Sequence, residues 1–225
     1  MNAAPPLRPH LRAALLAAGA LLATSTVHAS PIPVASYSML NGGTGSFNYR
    51  DFTYVPCNGA CDVTNAPLSG GTGKLTDGVS PATSWNQQGA NTAWVGWYTQ
   101  YQQLNPTVTF FFAGPSTIDS VTVWVDNTIG SGGVYLPSSV SIGGVNHAIA
   151  PDNANPAPRG YTFTGLGLSG SSVDVQFFHS TAPWIMVGEV SFDGVSGDGS
   201  VPLPGTLALV GAALLGAAAA RRRAA

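Results

Sequence analysis

"TVTFFFAGPSTIDSVTVWV", residues 107–125, contains two apolar runs separated by a Gly-Pro pair. In the second run, valines occupy every second position from Val121 to Val125 and so share one face of an extended strand. Thr122 and Trp124 lie on the opposite face. The first run alternates in the same way, and such alternation is typical of strands that bury one side in a core. The stretch predicts two core strands joined by a turn.

The chain on either side of this stretch has the same character. Short runs rich in β-branched and aromatic residues alternate with clusters of Gly, Pro, Asn and Ser, and no segment shows an apolar period of 3.6 residues. This pattern predicts an all-β domain, a β-sandwich of about nine strands. The predicted strands are Val34–Leu40, Phe47–Val55, Thr92–Tyr98, Thr107–Ala113, Ile118–Val125, Ser139–Ile142, Tyr161–Leu166, Val173–His179 and Ile185–Phe192.

Residues 1–29 resemble a secretory signal peptide. Basic residues precede the apolar stretch Ala13–Ala23, and small residues at Val27–Ala29 suit a signal peptidase, so we expect cleavage before Ser30. The alternative is an N-terminal membrane anchor. An apolar run from residue 13 to residue 23 is, however, shorter than the roughly 20 residues that span a bilayer.

A second apolar segment lies at Leu207–Ala220 and is followed by three arginines. Its 14 residues correspond to about 21 Å of helix, against a hydrocarbon core of roughly 30 Å. The arginines favour the cytoplasmic side, which leaves the preceding chain outside. The predicted short hydrophobic helix therefore spans a membrane marginally at best.

This tail, residues 201–225, resembles the PEP-CTERM sorting signals, including their Val-Pro-Leu-Pro variants. The resemblance implies a Gram-negative bacterium that makes exopolysaccharide, and recognition by an exosortase-type membrane enzyme. It also implies a transient stop in the inner membrane before transfer to the cell surface or extracellular matrix. Leu203 stands where the name-giving family has Glu, and a permanent single-span anchor is the alternative. The motif residues are Val201, Pro202, Leu203, Pro204, Arg221, Arg222 and Arg223.

Between the two signals, residues 30–200 form a segment of the size of one domain. It contains three basic residues, Arg50, Lys74 and Arg159, against nine Asp and one Glu, a formal charge of −7, whereas the whole chain carries −2. A domain this acidic is a poor match for nucleic acid, so no nucleic-acid partner is expected.

Cys57 and Cys61, in "CNGAC", are the two cysteines of the chain. An exported protein meets an oxidising compartment, which favours a disulfide that closes a small loop. A zinc site would need two further ligands, and the spacing is one residue longer than that of a Cys-x-x-Cys redox motif.

Five motifs occur in an order that resembles the galactose-binding-like jelly rolls, which include discoidin domains, coagulation-factor C-type domains and many bacterial carbohydrate-binding modules. The resemblance covers residues 73–194 best and implies a jelly-roll β-sandwich that binds ligands where loops gather at one end. The motifs are "LTDG" (75–78), "ATSW" (82–85), the stretch 107–125, "YLPSSVSIGG" (135–144) and "WIMVGEVSFDG" (184–194).

The same resemblance implies a structural Ca²⁺ between the Asp-Gly loop and the closing strand. Asp77 and Glu189 would supply carboxylate oxygens and Thr83 a further oxygen, the hard ligands that Ca²⁺ prefers. The alternatives are that Asp77 forms a turn, as is common for an Asp before Gly, and that Glu189 points into solvent from an edge strand.

Aromatic residues near the predicted strand ends are candidates for stacking on a sugar ring. The family's core tryptophan corresponds to Trp85, which is therefore not a candidate. A large aromatic side chain in a β-sandwich also belongs to the core more often than to a ligand site. The candidates are the aromatic residues Trp94, Trp97, Tyr135 and Trp184, with Arg159, His147 and His179 as polar partners.

The sequence thus predicts a non-catalytic protein of the cell surface or exopolysaccharide matrix that binds polysaccharide. No Gly-x-Ser-x-Gly nucleophile motif is present, and residues 30–200 contain His147 and His179 as their histidines. Two alternatives remain: a structural matrix or adhesion protein without a sugar pocket, and a glycan-active enzyme that uses a carboxylate pair.

Overall fold

The computed structural model describes residues 29–44, 46–87, 93–101, 103–151 and 156–197. The predicted signal peptide and sorting tail, with its hydrophobic helix, lie outside the described residues. Within those ranges, no helix is long and apolar enough to cross a membrane.

The described chain forms ten strands, and every pairing between them is antiparallel. The strands are β1 (Ser30–Pro31), β2 (Val34–Leu40), β3 (Pro67–Gly71), β4 (Val95–Tyr98), β5 (Thr107–Val125), β6 (Ser139–Ile142), β7 (Val145–Ala148), β8 (Arg159–Phe163), β9 (Leu168–Phe178) and β10 (Trp184–Val195). The all-β prediction is confirmed.

Strand β5 belongs to both halves of the fold. Its first part pairs with β2 and β9, and the first sheet runs β3, β2, β5, β9, β6, β7. Beyond a register shift between Phe111 and Ser116, its second part pairs with β8 and β10, and β10 carries β1 and β4 on its other edge. The two predicted strands are therefore one continuous strand, since Gly114 and Pro115 redirect the chain without interrupting it.

The core lies between the two sheets. The ring of Phe192 on β10 contacts those of Phe110 and Phe112 on β5, with centroids 5.0 and 5.2 Å apart. The valines from Val121 to Val125 have no exposed surface. The predicted alternation is thus confirmed, and burial of these side chains drives the two sheets together.

Both ends of β5 lie at the same end of the sandwich. Thr107 pairs with Gln176 near the end of β9, and Val125 pairs with Val187 near the start of β10. Because β9 leads directly into β10, the connections of both sheets meet here, and we call this the loop end. The described residues of five connections lie here, within 41–66, 99–106, 126–138, 149–158 and 179–183.

The predicted strand Phe47–Val55 was wrong, because these residues form turns within the connection 41–66. The side chains of this connection turn inward instead of alternating. Asp51 is fully buried and accepts hydrogen bonds from the hydroxyl of Tyr37 and from the backbone N–H of Lys74. The predicted disulfide between Cys57 and Cys61 is present and closes a small loop in the same connection.

Candidate functional site

An aromatic cleft of about 120 Å³ opens at the loop end. Its lining comes from separate parts of the chain, which the strand ends of the second sheet bring together. The lining residues are Phe47, Tyr49, Trp85, Gly132, Val134, Trp184 and Met186.

The rings in this cleft are graded from exposed to buried. Phe47 is 57% exposed, whereas Tyr49 and Trp184 are 8% and 6% exposed. Phe47 stands edge-on to Trp184, with centroids 6.3 Å apart and planes at 89°. Tyr49 stands edge-on to both tryptophans of the cleft, 5.6 Å from Trp184 and 5.9 Å from Trp85. Such edge-to-face contacts fix the rings relative to one another.

A braced turn carries Phe47. The Oγ1 of Thr44 accepts hydrogen bonds from the backbone N–H groups of Ser46, at 3.2 Å, and Phe47, at 2.9 Å. The guanidinium of Arg50 donates to the Thr44 carbonyl at 2.8 Å and to Oδ1 of Asn48 at 2.9 Å. The exposed ring is therefore held in place before any ligand arrives.

A buried carboxylate positions Trp85 on the other side of the cleft. Asp126 has no exposed surface, and its Oδ2 accepts the backbone N–H of Trp85 at 2.7 Å. The hydroxyl of Thr128 donates to Oδ1 of Asp126 at 2.7 Å, while its oxygen accepts the indole N–H of Trp85 at 2.8 Å. Burial raises the pKa of Asp126, although the hydrogen bonds that it accepts oppose this effect.

The structure separates the predicted aromatic candidates. Trp184 lines the cleft, and half-buried Tyr135 lies beside it, with its N–H 3.3 Å from the Trp184 carbonyl. Trp94 is 2% exposed and packs beneath the cleft. Trp97 has no exposed surface, and its indole donates to the Leu40 carbonyl at 3.0 Å, inside the main core. Neither Trp94 nor Trp97 presents a ring face to solvent.

The predicted polar partners lie apart from the cleft. Arg159 is half-buried and begins β8, where it pairs with Val125. His147, on edge strand β7, packs against Phe163. His179 receives the backbone N–H of Asn105 at Nδ1, and burial lowers its pKa, so that its ring is neutral at pH 7. None of these three side chains lines the cleft.

Two of the three residues predicted to bind calcium lie together. Burial and the neighbouring charge of Asp77 raise the pKa of Glu189 from 4.5 to about 8. Glu189 is 6% exposed, and its Oε2 is buried without a hydrogen-bond partner among the described residues. Thr83 is exposed. The Asp-Gly loop and the closing strand thus meet, as the family resemblance implies.

The carboxylates of Asp77 and Glu189 fit a hard cation, although the ammonium of Lys74 competes for Asp77. An orphaned buried carboxylate oxygen beside a second carboxylate suits Ca²⁺, which needs six to eight oxygen ligands. The ammonium of Lys74, however, lies 2.7 Å from Oδ2 of Asp77. The described residues contain no cluster of three or more His, Cys, Asp or Glu, so backbone and hydroxyl oxygens would have to complete the shell.

Phe47, Tyr49 and Trp85 line the cleft but were not among the predicted binding residues. Phe47 and Tyr49 lie in the segment wrongly predicted as a strand, where alternation would have placed both on one face. The family resemblance assigns Trp85 to the core. The "GGTGSFNY" run at residues 42–49 was the available signal, because a Gly-rich turn exposes the ring that it carries.

Comparison with known proteins gives two family matches. Residues 33–194 match the family described as discoidin domain-containing receptor 1/2, DS-like domain. Residues 200–223 match the PEP-CTERM protein-sorting motif. No curated protein matches this chain.

Three solved structures that this chain resembles come from two bacteria. One is the family 32 carbohydrate-binding module of Clostridium perfringens NanJ in complex with galactose. It is 12% identical, the match covers 53% of this chain and 82% of that chain, and the TM-score is 0.31. Another belongs to the Streptococcus pneumoniae β-galactosidase BgaA. It is 9% identical, the match covers 73% of this chain and 98% of that chain, and the TM-score is 0.44. The third is a C. perfringens family 32 module in complex with GlcNAc-α-1,4-galactose. It is 12% identical, the match covers 76% of this chain and 97% of that chain, and the TM-score is 0.37.

The discoidin match includes β2 to β9 and all but the last residue of β10, and the sorting motif begins at residue 200. On this basis the chain belongs to the DS-like domain family of discoidin domain-containing receptors 1 and 2, and it carries a PEP-CTERM sorting motif.

Proposed function

We propose that this chain is an exported, non-catalytic protein of the cell surface or exopolysaccharide matrix that binds polysaccharide through its aromatic cleft. The observation that carries the proposal is the exposed ring of Phe47, held edge-on to Trp184 at the mouth of the cleft. An exposed aromatic ring is costly in water, and the apolar face of a pyranose covers it well. Because the turn is already braced, little conformational entropy is lost on binding.

The sorting motif gives this binding domain its destination. PEP-CTERM sorting implies export and an exosortase-type enzyme that recognises the tail. A signal peptidase would remove residues 1–29, and the processed protein would remain in contact with extracellular polysaccharide. A glycan-binding domain that is delivered to the extracellular polysaccharide accounts for both the discoidin-like domain and the sorting motif.

A structural Ca²⁺ is the second part of the proposal. Asp77, Thr83 and Glu189 would hold it, and the ion would neutralise the two carboxylates that the fold places side by side. In its absence, protonation of Glu189 and the ammonium of Lys74 limit the repulsion. The site is expected to fix the Asp-Gly loop against β10 without contacting the glycan.

The experiment that tests the proposal is affinity electrophoresis of the exported protein in gels that contain neutral galactan, glucan, mannan or xylan. Retention is expected on at least one polymer. The Phe47→Ala variant should lose about tenfold in affinity, as removal of one stacked ring costs about 1–1.5 kcal/mol. Val79→Ala is the matched control, since Val79 is 60% exposed and does not line the cleft.

The outcomes separate the proposal from its two alternatives. Absence of retention on every polymer would contradict the proposal and favour a structural matrix or adhesion protein without a sugar pocket. Release of reducing sugars from a polymer, abolished by an Asp→Asn substitution, would instead establish an enzyme that uses a carboxylate.

A further inference from the structure

Trp124 is a tryptophan that packs into neither hydrophobic cluster of the domain. It is half-buried on the outer face of the second sheet, whereas Val123 and Val125 on either side of it point into the core and have no exposed surface. Among the described residues no aromatic ring stacks on Trp124, and none accepts a hydrogen bond from its indole N–H. Part of this residue is therefore exposed to solvent.

The neighbouring strand leaves room for the Trp124 ring. Trp124 pairs with Gly160 on β8, and a Cβ atom at Gly160 would lie 2.9 Å from Cε2 and 3.1 Å from Cζ2 of the indole. The ring thus occupies the space that a side chain at residue 160 would fill. A glycine at this position lets the half-buried indole lean over the strand.

A row of hydroxyl groups lies beside the indole. Thr122 pairs with Thr162 on one side and with Ser191 on the other, and the Oγ1 atoms of the two threonines are 2.8 Å apart. Thr162 and Ser191 are exposed. Residues two apart on a strand are separated by roughly 7 Å, so this row lies about one sugar unit away from the indole.

We propose that this surface is a second polysaccharide site, which takes a neutral polymer. We call it the Trp124 face, formed by Trp124, Gly160, Thr122, Thr162 and Ser191. One pyranose stacks on the indole, and the hydroxyls of the adjacent sugar exchange hydrogen bonds with the row. None of the five residues is charged, and residues 30–200 carry a formal charge of −7, which disfavours an anionic polymer.

The inference rests on the proposed function, since it assigns the same class of ligand to a second surface. It adds the ability to hold two polymer chains at once, which a single site does not have. Glu189 pairs with Trp124, and Trp184 of the aromatic cleft lies five residues before it on β10, roughly 16 Å along the strand. Two polymer chains therefore have room on one domain. Binding at both sites would cross-link polysaccharide.

The test compares the exported wild-type protein with variants of each site in two assays. The probes are soluble galactomannan and soluble mixed-linkage β-glucan, and the assays are affinity electrophoresis and the viscosity of protein–polymer mixtures. Trp124→Ala is expected to reduce affinity about tenfold and to abolish the rise in viscosity. Trp124→Phe should cause a smaller loss of affinity. Thr162→Val removes an exposed hydroxyl from an edge strand and should lower the affinity several-fold.

Val145→Ala is the matched control, because Val145 is 56% exposed on a strand of the opposite sheet. It should behave as wild type.

Trp124→Phe and Thr162→Val keep the test valid if Trp124→Ala does not fold. Wild-type retention and viscosity in both of these variants would overturn the second site, while a loss in Phe47→Ala would still support the aromatic cleft. The reverse result, with Phe47→Ala silent and Trp124→Phe weakened, would leave the Trp124 face as the binding site and contradict the proposed cleft. No retention of wild type on either polymer would overturn the Trp124 face.

Discussion

The indole of Trp85 lies directly over Gly132, so closely that a Cβ atom there would overlap the ring. Gly132 has a positive φ of 59°, which itself favours glycine. Gly132→Ala is expected to displace Trp85 from the cleft and to weaken glycan binding by several-fold, with a destabilisation of about 1–3 kcal/mol.

Gly144→Ala is the matched control for this change. Gly144 also has a positive φ, of 88°, but a Cβ atom there would meet nothing within 4 Å. It should cost about 1 kcal/mol through backbone strain and leave binding intact. Equal binding by the two variants would show that the position of Trp85 does not matter to the cleft.

The raised pKa of Glu189 predicts a pH-dependent stability in the presence of a chelator. The folded chain retains a proton on Glu189 up to about pH 8, whereas an unfolded chain loses it near 4.5. The contribution of this group is therefore fully present below about pH 4.5 and is lost as the pH rises to about 8. Thermal melting should show a fall in Tm over this window of roughly 10 °C.

Glu189→Gln removes the ionisable group but keeps the shape and hydrogen-bonding capacity of the side chain. This variant should show a flatter dependence of Tm on pH, whereas Asp174→Asn, on the exposed face of β9, should follow wild type. An unchanged slope in Glu189→Gln would mean that burial does not raise the pKa of Glu189.

Millimolar Ca²⁺ is expected to increase the Tm, and more at pH 8 than at pH 5. The ion binds the deprotonated carboxylates and must displace the ammonium of Lys74 from Asp77. Native mass spectrometry should show one added Ca²⁺, which Glu189→Gln loses. A Tm that is the same with calcium and with chelator at pH 8, together with no mass shift, would contradict the site.

Intact-mass measurement tests the processing of both ends of the chain. Protein recovered from the outside of its own cells should begin at Ser30 and lack Arg221, Arg222 and Arg223. Replacement of these arginines by alanine should leave unprocessed protein in the membrane fraction, whereas Arg159→Ala should not. A mature mass that still includes the arginines would favour the permanent anchor.

The fold was largely predictable because its strands alternate. The bounds of Val34–Leu40 and Ser139–Ile142 were predicted as observed, since apolar side chains there meet a core on one face. Strand β3, "PLSGG", has no such pattern and was missed, as its pairing with β2 depends on backbone hydrogen bonds that sequence does not display. The predicted strand at residues 47–55 failed because Asp51 turns inward to Tyr37.

The candidate site was predictable only in part. Trp184 and the approach of Asp77 to Glu189 followed from the order of motifs along the chain. Phe47 and Trp85 did not, because their exposure depends on a turn braced by Arg50 and on the absence of a side chain at Gly132. Conversely, Trp94 and Trp97 were expected as candidates, yet residue type alone does not tell a buried tryptophan from an exposed one.

Strand β10 is both the central strand of the second sheet and the last described strand of the chain. This strand lies between β5 and the short strands β1 and β4, and it ends at Val195, whereas the sorting motif begins at residue 200. The second sheet therefore lacks its middle strand until almost the whole domain has been delivered. If the chain is exported from its first residues onward, we expect the second sheet to be completed only when the sorting tail follows.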